Sequence, residues 1–245
     1  MNADISPILQ EWPFEPERTL RVIMTPDGRR VMQVRLPLGI EQYELDGRPD
    51  GLRPGGMDTA LAEFEERLAR HVGEGDGAFS MSHEDFSRLQ AESLLFYYRY
   101  LMLFQISDFP RVVRDTEHNL RIAELVEQYS SLEEDRTALL QYKPYMIRMN
   151  CVSRSMLLIQ QKEPAKAREL LEQGIEAIKA LAEIDSPAFQ FEKIRSINYM
   201  KTALNQIGNT GNSPMEELRL ELERAVQEEN YEKAAELRDR LRGLE

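Results

Sequence analysis

The chain has 245 residues, and 31 Lys and Arg stand against 43 Asp and Glu, a formal net charge of -12. At about 100–200 residues per domain this makes one or two domains, enough to bury a core without disulfide or metal staples. The acidic balance repels phosphate backbones and anionic lipid, and a single cysteine, Cys151, excludes a disulfide framework and a multi-thiolate zinc site.

The opening MNADISPILQEWPFEPE lacks a basic segment followed by an apolar one, so no signal peptide is expected. The longest apolar run, 94–104, is eleven residues and is interrupted by Arg99. A bilayer span needs about 20, so a cytoplasmic protein with no membrane partner is predicted.

Residues 1–56 read as a β-rich segment. In 19–25, Leu20, Val22 and Met24 alternate with Thr19, Arg21 and Ile23, the period of a half-buried strand. Pro26-Asp27-Gly28 supplies a turn, and Met32, Val34 and Leu36 alternate again, which predicts a hairpin. A third strand over 40–45, with Tyr43 and Leu45 on one face, extends it to a meander. Residues 46–56 are too rich in glycine and proline for anything but loop. Arg48 and Arg53 lie among those glycines, a pattern that fits either a plain surface loop or an anion cradle.

Over 57–207 the period changes to that of a helix. Leu61, Phe64, Leu68 and Val72 share one face of a helix ending at Gly73, and Ser82 with Asp85 forms a capping-box pattern. Further helices are predicted to begin near Pro110, Ser131, Pro144, Pro164 and Pro187, since proline suits the first turn. Ser131 and Ser186 are placed as N-caps. The aromatic run Phe96-Tyr97-Tyr98-Arg99-Tyr100 points all round its helix and is expected to fill the bundle centre rather than stack on bases.

Small residues at Ser155, Ala167 and Gly174, with Leu158 and Leu171, mark a close helix crossing. The stretch QKEPAKARELL resembles the second-helix start of a tetratricopeptide repeat, and Pro110 and Pro144 are 34 residues apart, the period of that repeat. Tetratricopeptide-like packing and an ordinary antiparallel bundle both satisfy this pattern. The fold class is thus mainly α, α+β overall: a small N-terminal antiparallel hairpin or meander over 1–56, a tetratricopeptide-like helical bundle or solenoid over 57–207, a linker at 208–213 and a helical hairpin over 214–245.

In that last segment Met215, Leu218, Leu222 and Val226 form one apolar stripe and Tyr231, Ala234, Leu237, Leu241 and Leu244 a second. The run Tyr231, Glu232, Lys233, Ala234, Ala235, Leu237, Arg238, Asp239 resembles the UVR motif of excision-repair proteins UvrB and UvrC and of ClpC-type chaperone ATPases and their regulators. The resemblance covers about 30 residues, and residues 1–207 are also similar to bacterial proteins that carry this motif behind a helical domain. It implies a helical hairpin that self-associates or pairs with the same motif in a protein partner. On that reading the partner-binding residues are Leu218, Leu222, Tyr231, Ala234, Ala235, Leu237, Arg238, Asp239 and Leu241. Elementary physics agrees, because about 30 residues fall below the roughly 40 at which a domain folds unaided. The same residues also resemble a terminal tetratricopeptide helix, so a capping role within the chain stays open.

No phosphate-binding loop, dinucleotide fingerprint, His-Glu-x-x-His or Gly-x-Ser-x-Gly pattern occurs. His71, His83 and His118 fall in separate segments, so no metal is expected, and Cys151 is read as a buried hydrophobe. The expectation is a non-catalytic adaptor, with no cofactor and no direct nucleic-acid binding, connected with excision repair or a protease-chaperone system. The alternative is a small-ligand-binding or enzymatic helical domain whose C-terminal hairpin is a structural cap.

Overall fold

A computed structural model describes residues 4–74 and 78–210, together with Leu222, Lys233, Leu237 and Arg238. A short helix α1 (Ser6–Glu11) precedes strands β1 (Leu20–Met24), β2 (Arg30–Leu36) and β3 (Gly39–Glu44). After a 3-10 turn at Pro54–Gly56 come α2 (Ala60–Glu74), α3 (His83–Gln105), α4 (Phe109–Tyr129), α5 (Glu133–Leu140), α6 (Lys143–Gln160), α7 (Pro164–Lys179) and α8 (Pro187–Thr210). The mainly helical class with a small antiparallel sheet is as the sequence predicts. Helix α1, which has no buried residue, was not predicted, although Ile5, Ile8, Leu9 and Trp12 have helical spacing.

The sheet is an antiparallel meander in the order β1-β2-β3, with Val22 opposite Met32 and Met32 opposite Tyr43. Gly28 takes the positive φ that the turn after β1 requires, and its N–H donates to the Thr25 carbonyl. Met32, Val34, Tyr43 and Leu45 pack with Tyr100 and Leu103 of α3, Val112 of α4 and Met149 of α6, so strands and helices share an apolar cluster. Part of the predicted buried face differs. Val22 and Met24, on the edge strand β1, and Leu36, at the end of β2, are exposed. The opposite face of β2 is covered by the N-terminal segment, where Arg35 Nε donates to the Trp12 carbonyl and the Arg21 guanidinium lies 4.0 Å from the Trp12 ring centroid.

Helix boundaries follow the caps. Ser82 and Asp85 form the expected capping box, with Ser82 Oγ accepting from the Asp85 N–H and Asp85 Oδ2 accepting from the Ser82 N–H. Ser186 Oγ accepts from the Phe189 N–H at 3.5 Å. Ser131 is not a cap. α5 starts one residue later than that role requires, with Leu132 at the boundary and Glu133, Glu134 and Asp135 suiting the dipole of the first turn. Leu61, Phe64 and Leu68 are buried as predicted, but Val72 is 68% exposed because α2 runs past the core it packs on. α8 continues through Thr210, so the first three residues of the expected linker at 208–213 are helical; a glycine near a helix end carries only a modest penalty.

Two helical hairpins are built alike. Between α3 and α4, Ser107 takes a φ of 59°, its N–H donates to the Phe104 carbonyl and the Asp108 N–H donates to Leu103. Between α6 and α7, Lys162 takes a φ of 63°, its N–H donates to Ile159 and the Glu163 N–H donates to Leu158. Both are Schellman turns closed by a non-glycine left-handed residue, followed by a proline within three positions. The 34-residue spacing of Pro110 and Pro144 therefore does not mark a repeat. Pro110 opens the second helix of one hairpin and Pro144 the first helix of the next, and α5 with its connections lies between.

A polar network ties the strands to these helices. Arg99 and Asp115 are completely buried and paired in bidentate fashion, Nε to Oδ2 at 2.6 Å and Nη2 to Oδ1 at 2.8 Å. Arg99 Nη1 donates to the carbonyls of Glu44 and Gly47, both at 2.8 Å, and Arg114 Nη2 donates to that of Leu45. One guanidinium thus spans α3, α4 and the end of β3. Asp115→Ala would leave Arg99 buried without its counter-charge, so urea unfolding is expected to show a loss of about 3–5 kcal/mol.

Candidate functional site

The arginines of the loop over 46–56 are paired with carboxylates of the chain itself, as in a plain surface loop. Arg48 Nε donates to Asp50 at 2.9 Å and Nη1 to Glu92 Oε2 at 3.2 Å, while Arg53 pairs with Asp58 at 2.7 Å. Glu92, fully buried on α3, in turn caps α2 by accepting the N–H groups of Ala60 and Leu61 at 2.6 and 2.9 Å. Burial raises the Glu92 pKa, but hydrogen bonds from His118, Ala60 and Leu61 outweigh it and hold the carboxyl below its ordinary value. The stabilisation so gained is full above the unfolded-chain value, about 4.3, and is lost as pH falls through the lower folded-state value.

The histidines are spent separately. His118 stacks on Phe96 with ring centroids 3.6 Å apart, and its Nε2 lies 3.1 Å from Glu92 Oε1. His83 Nδ1 meets Asp135 Oδ1 at 2.8 Å, and His71 lies edge-on to Phe79. Among the described residues no three His, Cys, Asp or Glu side chains are grouped to hold a metal ion. Phe96, Arg99 and Tyr100, at the two ends of the aromatic run, are buried and fill the interior as predicted, while Tyr98 at its centre is exposed.

Cys151 is buried against α7, and burial pushes its thiol pKa up, away from nucleophile chemistry. The crossing it serves is the one marked by small residues: Ala167 and Leu171 are fully buried, and Ser155 Oγ donates to the Ala167 carbonyl. A Cβ on Gly174 would sit 2.6 Å from Cys151 Sγ. Gly174→Ala should therefore destabilise the fold by about 1–3 kcal/mol in thermal unfolding, against the gain a helical Gly→Ala change ordinarily brings. Adding Cys151→Ala should recover most of that loss, since the clash is with its sulfur.

Of the nine residues assigned to partner binding, Leu222, Leu237 and Arg238 are described. All three are helical, with Leu222 half-buried, Leu237 only 3% exposed and Arg238 exposed. Leu218, Tyr231, Ala234, Ala235, Asp239 and Leu241 lie outside the described residues. The neighbouring Lys233 is helical and exposed. Lys233 and Leu237, four apart and therefore near one another on a helix, differ in burial, as do the adjacent Leu237 and Arg238. This is an apolar position flanked by charge.

The family model of the UvrB/uvrC motif matches residues 212–245. The chain carries that motif at its C-terminal end, two residues earlier than the sequence pattern placed its start. It is a protein- and DNA-interaction motif of excision-repair and Clp-related proteins, and such motifs mediate protein interactions. No curated protein and no solved structure matches the chain. Among the described residues no helix is long and apolar enough to cross a membrane. Sequence reasoning did not find Glu92 as a helix cap or the Arg99–Asp115 pair. Their signal is a charged residue inside an apolar helical run, AESLLFYYRY, which only a partner on another element explains.

Proposed function

We propose that the chain is a non-catalytic cytoplasmic adaptor whose C-terminal UvrB/uvrC motif pairs with a like motif, in a second copy or in a partner of an excision-repair or protease-chaperone system. The match at 212–245 carries this reading. Leu237 and Arg238 support it, since a buried leucine flanked by an exposed arginine is the pattern of a helix seam whose charged edges set pairing register. Arg99 and Asp115 are engaged in a structural pair and Glu92 in a helix cap, Cys151 packs in the interior, and the three histidines each pack on or bond to a neighbouring side chain.

A second reading draws on the same leucine. Leu237 is 3% exposed within a single chain, so the chain itself covers that side chain, as it would if the motif capped the helical array.

Immobilised full-length chain carrying Leu237→Asp with Leu241→Asp, or Arg238→Glu alone, is expected to lose at least tenfold in capture of a second, differently tagged copy or of a purified UvrB/uvrC-motif protein. Circular dichroism should show the helical content over 57–207 retained. Undiminished capture by both variants would contradict the adaptor reading. A fall in thermal stability with no capture in the wild type would favour the cap.

A further inference from the structure

A second charged and aromatic cluster lies where α3, α6 and α8 meet, built from residues up to a hundred positions apart. Tyr97 of α3 packs on Tyr145 of α6 with ring centroids 5.8 Å apart. Arg148, one turn on from Tyr145, has its guanidinium carbon 4.7 Å from the Tyr145 ring centroid and 5.3 Å from that of Tyr199 on α8. Arg148 is only 5% exposed, yet its single ionic partner is Glu192, with Nη2 and Oε2 4.0 Å apart, and no hydrogen bond reaches its guanidinium among the described residues. Burial pulls its pKa down and Glu192 opposes that shift. Glu192 Oε2 is itself buried without a hydrogen-bond partner, and Arg195 Nη1 stands 3.6 Å from its other oxygen.

This differs sharply from the Arg99 site. There one buried guanidinium makes two bonds to a carboxylate and two to carbonyls. The Glu192 oxygen, buried without a donor, is costly as it stands, and the Arg148 guanidinium has donors that no other described side chain or backbone group uses; one incoming group that both accepts and donates satisfies the two together. The rim is apolar and open. Tyr199 and Phe191 of α8 are 48% and 60% exposed, Tyr98 of α3 is 44% exposed, and Arg195 lies over the Phe191 ring at 5.7 Å. Tyrosine and arginine around a desolvated centre are the composition of a protein-binding hot spot.

We propose that this α3–α6–α8 face is a docking site for an acidic segment of a partner protein, separate from the C-terminal motif. A carboxylate of that segment seats between Arg148 and Arg195, a backbone N–H of it donates to Glu192 Oε2, and an adjacent aromatic or aliphatic side chain lies along Tyr199 and Phe191. A peptide supplies acceptor and donor side by side. A nucleic-acid phosphate supplies acceptors alone, next to the Glu192 carboxylate and on a chain of net charge -12.

The test is selection of a displayed random dodecapeptide library on the full-length chain, followed by titration of the enriched peptides and of a 15-mer oligothymidylate by fluorescence anisotropy. Enriched sequences should place Asp or Glu beside an aromatic or aliphatic residue. Arg148→Gln and Tyr199→Ala should each weaken binding at least tenfold, while Leu237→Asp leaves it unchanged. If Arg148→Gln lowers the melting temperature, the half-exposed Tyr199 decides the matter. Peptides without acidic residues, binding indifferent to Tyr199→Ala, or oligothymidylate binding that is lost in the same variants would each overturn the proposal. Because Leu237→Asp is expected to be silent here, failure of this site and failure of the C-terminal motif are told apart.

Discussion

The buried pair Arg99–Asp115 is the constraint on which the arrangement of the described residues turns. Two charges out of water are tolerated only when geometry and added hydrogen bonds offset their desolvation, and here the additional partners are the carbonyls of Glu44 and Gly47, with Arg114 bonded to Asp115 from outside. Those carbonyls belong to the end of β3 and the turn after it. The sheet is thereby held to α3 and α4 by a polar contact with fixed direction, while Met32, Val34, Tyr43 and Leu45 supply the non-directional apolar contact beside it. Glu92 repeats the device two turns earlier on the same face of α3, fixing the start of α2 by accepting from its N–H groups.

On that anchored base the helices assemble by close approach. The α3–α4 and α6–α7 hairpins end in the same Schellman geometry, and the second is drawn tight by Ala167, Leu171 and Gly174 against Cys151 and Ser155. α8 then packs on both α6 and α7, with Met200 in their shared cluster, and leads directly towards the C-terminal motif. The result is a rigid helical platform that has its polar groups engaged in its own structure at most sites, and conspicuously fewer so around Arg148 and Glu192.

Local signals in the sequence translated well into structure. The Pro26-Asp27-Gly28 turn, the Ser82–Asp85 capping box and the Leu61–Phe64–Leu68 stripe each depend on neighbours within a turn or two, and each is present; the α6–α7 crossing was legible because small residues mark it. Features that depend on distant partners were not legible. Val72 has the right phase for the buried face of α2 and lacks only a neighbour, which periodicity does not report. The likeness of the two hairpins is hidden because Ser107 and Lys162, not glycines, take the left-handed position, and because α5 interrupts their spacing. The loop arginines Arg48 and Arg53 looked available for an anion because composition does not report pairing: Asp50 and Asp58 are near in sequence, and Glu92 reaches Arg48 from a distant helix. Of the candidate site, Leu222 and Leu237 were named from spacing and Arg238 from the motif resemblance, and all three are helical; the Arg148 cluster was not named, since Tyr97, Tyr145, Glu192 and Tyr199 share no sequence neighbourhood.

The adaptor account joins a platform built from residues 4–210 to a motif at 212–245 whose two apolar stripes exceed what a lone pair of helices buries. Its central claim is that the motif associates between chains. The most direct measurement is light-scattering mass during size exclusion, comparing the full chain with one ending at Gly211. The account predicts a dimer for the full chain and a folded monomer of undiminished melting temperature for the shortened one. Monomers in both cases, with the shortened chain less stable, would contradict it and make the motif a cap on the helical platform.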